Sequence, residues 1–204
     1  MSIVGQGTCR FYRFNENNLK QFGFTKGENY HFLSHAWFKG ERVLAGTTDG
    51  RILLFEKGEY KHEISVKNLY GGTGDQLLRR KSSPKLKERN DSSDDAFSGG
   101  AAENHSRSTI FEGKEVTAIV AYSKGFAAAV GVGNVVVFEE QPAYTTAEDH
   151  FKQMYVVNIP HDTSECEDRI ITTLDISPNE EVVCATTFNC NIYTFQLSSA
   201  EIKV

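Results

Sequence analysis

The residues that could carry out chemistry in this chain include two glycine motifs, and neither has the context that its chemistry requires. Gly71-Gly72-Thr73-Gly74 resembles the start of a phosphate-binding loop. No Gly-Lys-Ser/Thr follows it, so a flexible linker is the better interpretation. Gly131-Val132-Gly133 is half of a dinucleotide-binding fingerprint, but a predicted strand follows it where that fingerprint needs a helix.

Histidines and cysteines are possible metal ligands, but their spacing predicts no metal site. His31 and His35 lie four residues apart in a segment that alternates like a strand, with no acidic residue beside them. His161 and Cys166 lie in an acidic segment that is typical of a solvated loop. No Ser-His-Asp or Cys-His arrangement has its nucleophile in a defined turn. We therefore predict no catalytic residue, no metal and no cofactor.

The remaining candidates are residues that contact or regulate partners. Trp37 is the only tryptophan and lies at the end of a predicted strand, where an aromatic side chain either packs internally or anchors a partner. Basic residues precede Ser82 and Ser83, and acidic residues follow Ser92 and Ser93, as in sites of basophilic and acidophilic kinases. Chance is the alternative explanation for such short patterns. The sequence thus offers one candidate partner contact and four candidate phosphorylation sites.

The elements that must position these residues are the strands of an internal repeat. Four segments run from a small residue, through a polar residue and a β-branched or aromatic stretch, to a phenylalanine: Phe14, Phe55, Phe138 and Phe195. The first two phenylalanines are 41 residues apart, the length of one four-stranded propeller blade. A strand of small residues and a tight turn precede each segment, as expected for the inner part of a blade.

We therefore predict an all-β chain, a partial β-propeller of about four degenerate blades. With strands named a to d from the innermost to the outermost, the predicted order is b-c-d, a-b-c-d, a-b-c-d, a-b-c. The two outer blades are then incomplete. Phe55, Phe138 and Phe195 are expected to be buried at equivalent sites between blades.

Residues 67–111 do not fit the repeat. A glycine-rich start, a basic run, an acidic serine cluster and a stretch of small residues follow one another. Such a composition buries too little apolar surface to offset the entropy of ordering. We predict a disordered, low-complexity insertion here, between propeller blades at 1–66 and 112–204 that belong to one domain.

The bulk composition favours a soluble intracellular chain. Its 204 residues suffice for one sizeable domain, and a net charge of −5 does not favour nucleic acid or membrane as a partner. The four cysteines form no CxxC pair, which predicts reduced thiols in the cytoplasm. The sequence shows no apolar run long enough to span a bilayer and no signal peptide. Because the strand pattern starts and stops abruptly, we expect more of the protein on both sides.

The strands resemble the WD-repeat family with the tryptophan of its signature replaced, as in Phe55-Glu56, Phe138-Glu139 and Phe195-Gln196. A closer resemblance is to the cilia- and flagella-associated WD-repeat proteins that carry a long coiled coil after their propellers. Three segments carry it: Gly5–Phe24, Val43–Gly58 and Ala121–Phe126. The coiled coil and the remaining blades of that family are not found in this sequence.

This resemblance implies an axonemal scaffold of the cilium or flagellum that helps to place inner dynein arms and regulatory complexes on microtubule doublets. The implied partners are subunits of those assemblies, tubulin, and the remaining blades of the full-length chain. A generic cytoplasmic WD-repeat adaptor in trafficking or ubiquitin transfer is an alternative that the fold leaves open. A propeller enzyme is a third hypothesis. Such an enzyme would carry polar or charged residues at matching positions of its blades, but the residues at these positions are apolar: Val4, Ala45, Ala128 and Ala185.

Overall fold

The computed structural model describes residues 1–24, 29–66, 113–142, 150–160, 167–198 and 202–203. These residues form four antiparallel sheets and one turn of 3-10 helix, Glu167–Arg169. Each sheet is one blade, numbered along the chain, and strands adjacent in sequence are adjacent in the sheet. None of the described residues belongs to a helix long and apolar enough to cross a membrane.

The strands of each blade follow one another from the inner to the outer edge. Blade 1 contains β1 (Ser2–Gly5), β2 (Thr8–Asn15) and β3 (Asn18–Phe22). Blade 2 contains β4 (Phe32–Phe38), β5 (Arg42–Thr47), β6 (Arg51–Glu56) and β7 (Glu59–Ser65). Blade 3 contains β8 (Val116–Tyr122), β9 (Gly125–Val130), β10 (Asn134–Glu140) and β11 (Phe151–Asn158). Blade 4 contains β12 (Ile171–Ile176), β13 (Val182–Thr187), β14 (Ile192–Gln196) and β15 (Ile202–Lys203).

The turn between β5 and β6 shows why short polar residues and glycine precede the third strand of a blade. The backbone N–H of Arg51 donates to Thr47 Oγ1 at 3.0 Å, and the Thr47 hydroxyl donates to Asp49 Oδ1 at 2.6 Å. Gly50 has a φ of 79°, a left-handed conformation that glycine adopts at little cost. The hairpin therefore closes through local contacts and sets β6 in register with β5.

The central strands of the middle blades are buried on both faces because another blade packs on each side. Five of the six residues of β5, and all six of β9, are buried. The outer strand β7 instead contains only exposed and half-buried residues. This difference explains why β5, β6, β9 and β10 are continuous apolar runs in the sequence, whereas the outer strands are polar.

Aromatic and aliphatic side chains fill the contacts between blades. One core cluster joins blade 1 to blade 2 through Cys9, Phe11, Phe32, Val43, Ala45, Leu53 and Phe55. A second joins blade 3 to blade 4 and includes Phe195. The predicted burial of Phe55, Phe138 and Phe195 is confirmed, with exposed fractions of 0 %, 4 % and 2 %.

Phe14, the repeat phenylalanine of blade 1, is 68 % exposed. Side chains alternate between the two faces of a strand, so Phe14 lies on the face opposite to Phe11. Phe11 packs against blade 2, where its ring centroid lies 5.2 Å from that of Phe55. Phe14 therefore points away from blade 2, and no described blade covers it.

The predicted strand order is confirmed except in blade 4. Blade 1 lacks its innermost strand, as the order b-c-d requires. The sequence predicts that blade 4 ends at strand c, but β15 pairs with β14 and supplies a fourth strand. A two-residue strand is too short to leave a periodic pattern in the sequence, which is why it was missed.

The small residues at matching blade positions pack between blades. Ala45 and Ala185 belong to the two core clusters, Ala128 is fully buried, and Val4 packs against the cluster between blades 1 and 2. Their apolar character therefore reflects inter-blade packing. The four blades lie in one compact unit made of Met1–Lys67 and Phe111–Val204. The insertion predicted at 67–111 falls outside the described residues, and its disorder stays a prediction.

Candidate functional site

Several polar side chains of blades 2 and 3 converge on one carboxylate, that of Glu140 at the end of β10. Arg42, the first residue of β5, donates from Nη1 to Glu140 Oε1 at 2.5 Å and from Nη2 to Oε2 at 3.4 Å. Lys39 Nζ lies 2.8 Å from Oε2, and His150 Nε2 lies 3.1 Å from Oε1. We call Lys39, Arg42, Glu140 and His150 the Glu140 cluster.

Local contacts hold the cations of this cluster in place. Arg42 Nε donates to the backbone oxygen of Lys39 at 2.9 Å, and the guanidinium carbon lies 4.5 Å from the centre of the Phe38 ring. Burial acts to raise the pKa of Glu140, but hydrogen bonds from Arg42, Lys39 and His150 outweigh it and hold the pKa at about 2. The carboxylate is therefore charged at neutral pH and ties the two blades together electrostatically.

His150 of this cluster also contacts a second histidine, His62. The ring centroids of His62, in β7, and His150 are 4.9 Å apart, and His150 also stacks on Phe151 at 4.6 Å. Burial, and to a lesser extent the neighbouring His150, lower the pKa of His62. Neutral His62 is therefore the form that the folded protein favours at neutral pH.

The turns between the first two strands of blades 2, 3 and 4 are also linked. Lys39 Nζ donates to the backbone oxygen of Ser123 at 3.1 Å. The backbone N–H of Ser123 donates to Glu180 Oε1 at 2.8 Å, and its hydroxyl donates to Glu180 Oε2. Lys39 thus belongs both to this series of turns and to the Glu140 cluster, so the same end of three successive blades is tied together.

Trp37, the candidate partner contact, is the next-to-last residue of β4 and is 49 % exposed. It pairs with Val43, on the face of blade 2 that carries Phe55. Its exposure is compatible with a contact, and its role stays a prediction. The candidate phosphorylation sites lie outside the described residues: Ser82, Ser83, Ser92 and Ser93.

Two of the histidines considered as metal ligands, His31 and His35, lie within the described residues. His35 is half-buried in β4, and burial lowers its pKa. His31 precedes that strand and forms an isolated bridge with Gln6. His161 and Cys166 lie outside the described residues. In the part of the chain that the structure describes, no three His, Cys, Asp or Glu side chains are arranged to hold a metal ion.

The Glu140 cluster was missed by reasoning from the sequence. Its members lie in a turn, at a strand start, at a strand end and just before another strand, up to 111 residues apart. The sequence repeat indicates one part of this cluster, the pair of Arg42 and Glu140. Both residues lie at strand ends on the same side of adjacent predicted blades. A charge pattern of this kind becomes informative only once the blades are paired.

Comparison with known proteins agrees with this architecture. The chain is 31 % identical over 206 residues to cilia- and flagella-associated protein 57 of Mus musculus, across 98 % of the chain and 16 % of that protein. The chain thus spans less than a fifth of that relative's length. No known protein-family profile matches it.

The fold also matches a solved β-propeller. The β-propeller domain of Cps50 (Swd1) from Myceliophteria thermophila aligns with 100 % of this chain and 54 % of its own length, with a TM-score of 0.57 and 11 % identity. At that identity the likeness concerns the fold alone. The sequence similarity and the blades together show that the chain belongs to the cilia- and flagella-associated WD-repeat proteins and forms β-propeller blades of that family.

Proposed function

We propose that the chain is a non-catalytic scaffold segment of the ciliary or flagellar axoneme. In this role it contributes to the assembly or docking of inner dynein arms and regulatory complexes through protein–protein contacts. The observation that carries the proposal is the similarity, over 98 % of the chain, to a protein named for cilia and flagella. Tubulin is a further candidate partner, because the proposed location is the microtubule axoneme.

The inter-blade contacts support a structural role. Aromatic packing joins blade 1 to blade 2, and the Glu140 cluster joins blade 2 to blade 3. A frame that is fixed at successive junctions can present its turns to partners in constant positions. Glu140 and His62, two of the titratable groups whose pKa values are lowered, lie at the junction between blades 2 and 3. Hydrogen bonds to Glu140, and burial together with the neighbouring His150 at His62, account for those pKa values without a catalytic role.

Apolar side chains are exposed on the outer faces of blades 1 and 4. This exposure supports the proposal that the remaining blades of a longer polypeptide are intramolecular partners. Ile3 and Phe14 are exposed on blade 1, and Phe188 and Ile192 are exposed on blade 4. The corresponding faces of the middle blades carry buried apolar residues. Further blades that pack on these two faces would remove the exposed apolar surface from water.

The proposal is tested by tagging the full-length protein at its own locus in ciliated cells. We expect the tag to follow the axoneme, and inner-arm dynein subunits to be enriched by proximity labelling. A matched pair of variants, Trp37→Ala and Leu19→Ala, removes one exposed apolar side chain from each of two blades. If Trp37 contacts a partner, only the first variant reduces labelling. A protein that remains diffuse in the cell body of normally ciliated cells would contradict the proposal.

A further inference from the structure

The outermost strands of the two middle blades, β7 and β11, each have one open edge. Each is the last strand of its sheet, and no described strand pairs with its outer side. This side faces away from the neighbouring blades, so blades packed against either face of the sheet leave it uncovered. An open edge can pair with another chain, and natural proteins protect it with charged side chains, bulges or short strands.

The two open edges can be compared position by position, because Phe55 and Phe138 hold equivalent places in the repeat. In each outer strand the register shifts beside that phenylalanine and leaves one bulged residue without a partner in register. This residue is Lys61 in β7 and Met154 in β11. A bulge bends the strand and re-aims a side chain, so the bulged residue is a prominent feature of each edge.

The edge of blade 2 is protected by charge. The bulged Lys61 lies 3.7 Å from a carboxylate oxygen of Glu56 and 3.7 Å from one of Glu59. Two residues further on, Glu63 is exposed and lies 3.4 Å from Arg51 Nη1. A strand that added to this edge would have to break these ion pairs or bury their charges, which is costly.

The edge of blade 3 lacks this protection. The equivalent positions hold Met154, which is 45 % exposed, and Val156, which is half-buried, and no residue from Met154 to Asn158 is charged. The backbone N–H of Ile159 donates to the oxygen of Gly133 at 2.8 Å. Because alternate residues of an antiparallel strand bond to the same neighbour, the backbone groups of Val156 and Asn158 point to the open edge.

A lysine at the start of β11 indicates the charge of a matching strand. Lys152 is exposed, and its ammonium group forms no ion pair with the residues that the structure describes. An acidic side chain on an added strand would lie beside it and pair with it. Because Lys152 is the second residue of β11, its neighbour on an antiparallel added strand lies near the C-terminal end of that strand.

We propose that the outer edge of β11 accepts an extended segment of a partner protein, which adds antiparallel as a fifth strand of blade 3. The segment carries uncharged side chains beside Met154 and Val156 and an acidic side chain beside Lys152. Backbone hydrogen bonds to Val156 and Asn158 provide affinity, and the side chains provide selectivity. The inference goes beyond the scaffold proposal and rests on blade 3 alone, so strand binding and ciliary location can fail independently.

A labelled peptide tests the edge in the full-length protein. The probe is an octapeptide in which threonine alternates with valine and glutamate replaces the valine nearest the C-terminus. Fluorescein at its N-terminus reports binding by polarisation. We expect saturable binding, and binding about threefold weaker for a peptide of the same composition whose glutamate stands near the N-terminus. No saturable binding up to about 1 mM peptide would overturn the proposal.

Backbone pairing is tested without altering the protein. By amide exchange resolved by residue, the peptide should slow exchange at Val156 and Asn158 by at least about tenfold, whereas Val157, which pairs with β10, is already protected. Two probe peptides are also N-methylated on alternate residues, so that only one set of methyl groups faces β11. That peptide should bind about tenfold more weakly than the other. Unchanged exchange at saturation, or equal binding of the two peptides, would exclude strand addition.

Variants that transfer the residues of one edge to the other locate the site. Met154→Lys and Val156→Glu place the charges of blade 2 on blade 3, and each should weaken peptide binding by at least about tenfold. Blade 2 carries Lys61 and Glu63 at these places, so the blade geometry accommodates both side chains. Ile192→Lys, at an exposed apolar position of blade 4, is the control and should leave binding unchanged. Unchanged binding in both β11 variants would overturn the proposal. A dimer by light scattering that Val156→Glu dissociates would overturn the assignment to a partner and show a second copy at the edge.

Discussion

Replacing Phe55 by alanine is expected to lower the free energy of unfolding by about 3–5 kcal/mol. The side chain is fully buried, and its ring centroid lies 5.2 Å from Phe11, 5.0 Å from Phe24 and 6.2 Å from Tyr60. Transfer of a phenylalanine side chain from water contributes about 1.5–3 kcal/mol, and each aromatic pair adds about 0.5–1.5 kcal/mol. Because neighbours on two blades surround the ring, the cavity will collapse only in part.

Phe14→Ala is the matched control, since it removes the same atoms from the same kind of strand position. Phe14 is 68 % exposed and faces no described blade. Its truncation should change the free energy of unfolding by less than about 0.5 kcal/mol.

Urea unfolding of the two variants, followed by far-ultraviolet circular dichroism, measures both quantities. With a denaturant dependence of about 2 kcal/mol per molar urea, Phe55→Ala should lower the midpoint by about 1.5–2.5 M. Phe14→Ala should leave it within about 0.25 M. Equal shifts in the two variants would refute the assignment of Phe55 to an inter-blade core and the blade pairing with it.

Three further predictions follow from particular residues. A Cβ at position 46 would lie 2.5 Å from Val116 Cγ1, so Gly46→Ala should cost about 1–3 kcal/mol in urea unfolding, while Gly5→Ala, with no atom within 4 Å, should cost far less. The Glu140 carboxylate should stabilise the fold at pH values above the pKa of an unfolded glutamate, about 4.3, and this stabilisation should be lost as the pH falls toward the folded pKa of about 2. Glu140→Gln should therefore flatten the dependence of the free energy of unfolding on pH in this window. By exchange mass spectrometry, amides at 71–109 should be nearly unprotected while those of β8 to β10 are protected.

The blades could be predicted from the sequence because each carries its own local signals. Small residues before a turn, a turn with Asp-Gly or Asn, and a β-branched run ending in phenylalanine recur at blade spacing. Phe55, Phe138 and Phe195 therefore mark strands that the structure also has, and their burial follows from the repeat.

The contacts between blades could not be predicted in the same way. Phe14 and Phe55 have the same local pattern, but a neighbouring blade covers only one of them, and no local pattern encodes that neighbour. The Glu140 cluster brings together residues that are distant in the chain, and its formation depends on how blade 2 packs against blade 3. Burial and charge pairing at the junctions are tertiary outcomes that strand propensity does not specify.

The two junctions of blade 2 differ in chemistry, and they should respond differently to acid. The junction with blade 1 is apolar, and Cys9 is the one titratable side chain among the buried members of its core cluster; burial raises the pKa of Cys9 to about 12. The junction with blade 3 depends on Glu140, which is neutralised as pH falls toward its pKa of about 2. His62, whose pKa burial lowers, adds to the effect, since its protonation would place a positive charge beside the His150 ring. Acid should therefore loosen blade 3 from blade 2 before it affects the packing of Phe55 against Phe11, and exchange measured blade by blade distinguishes the two events.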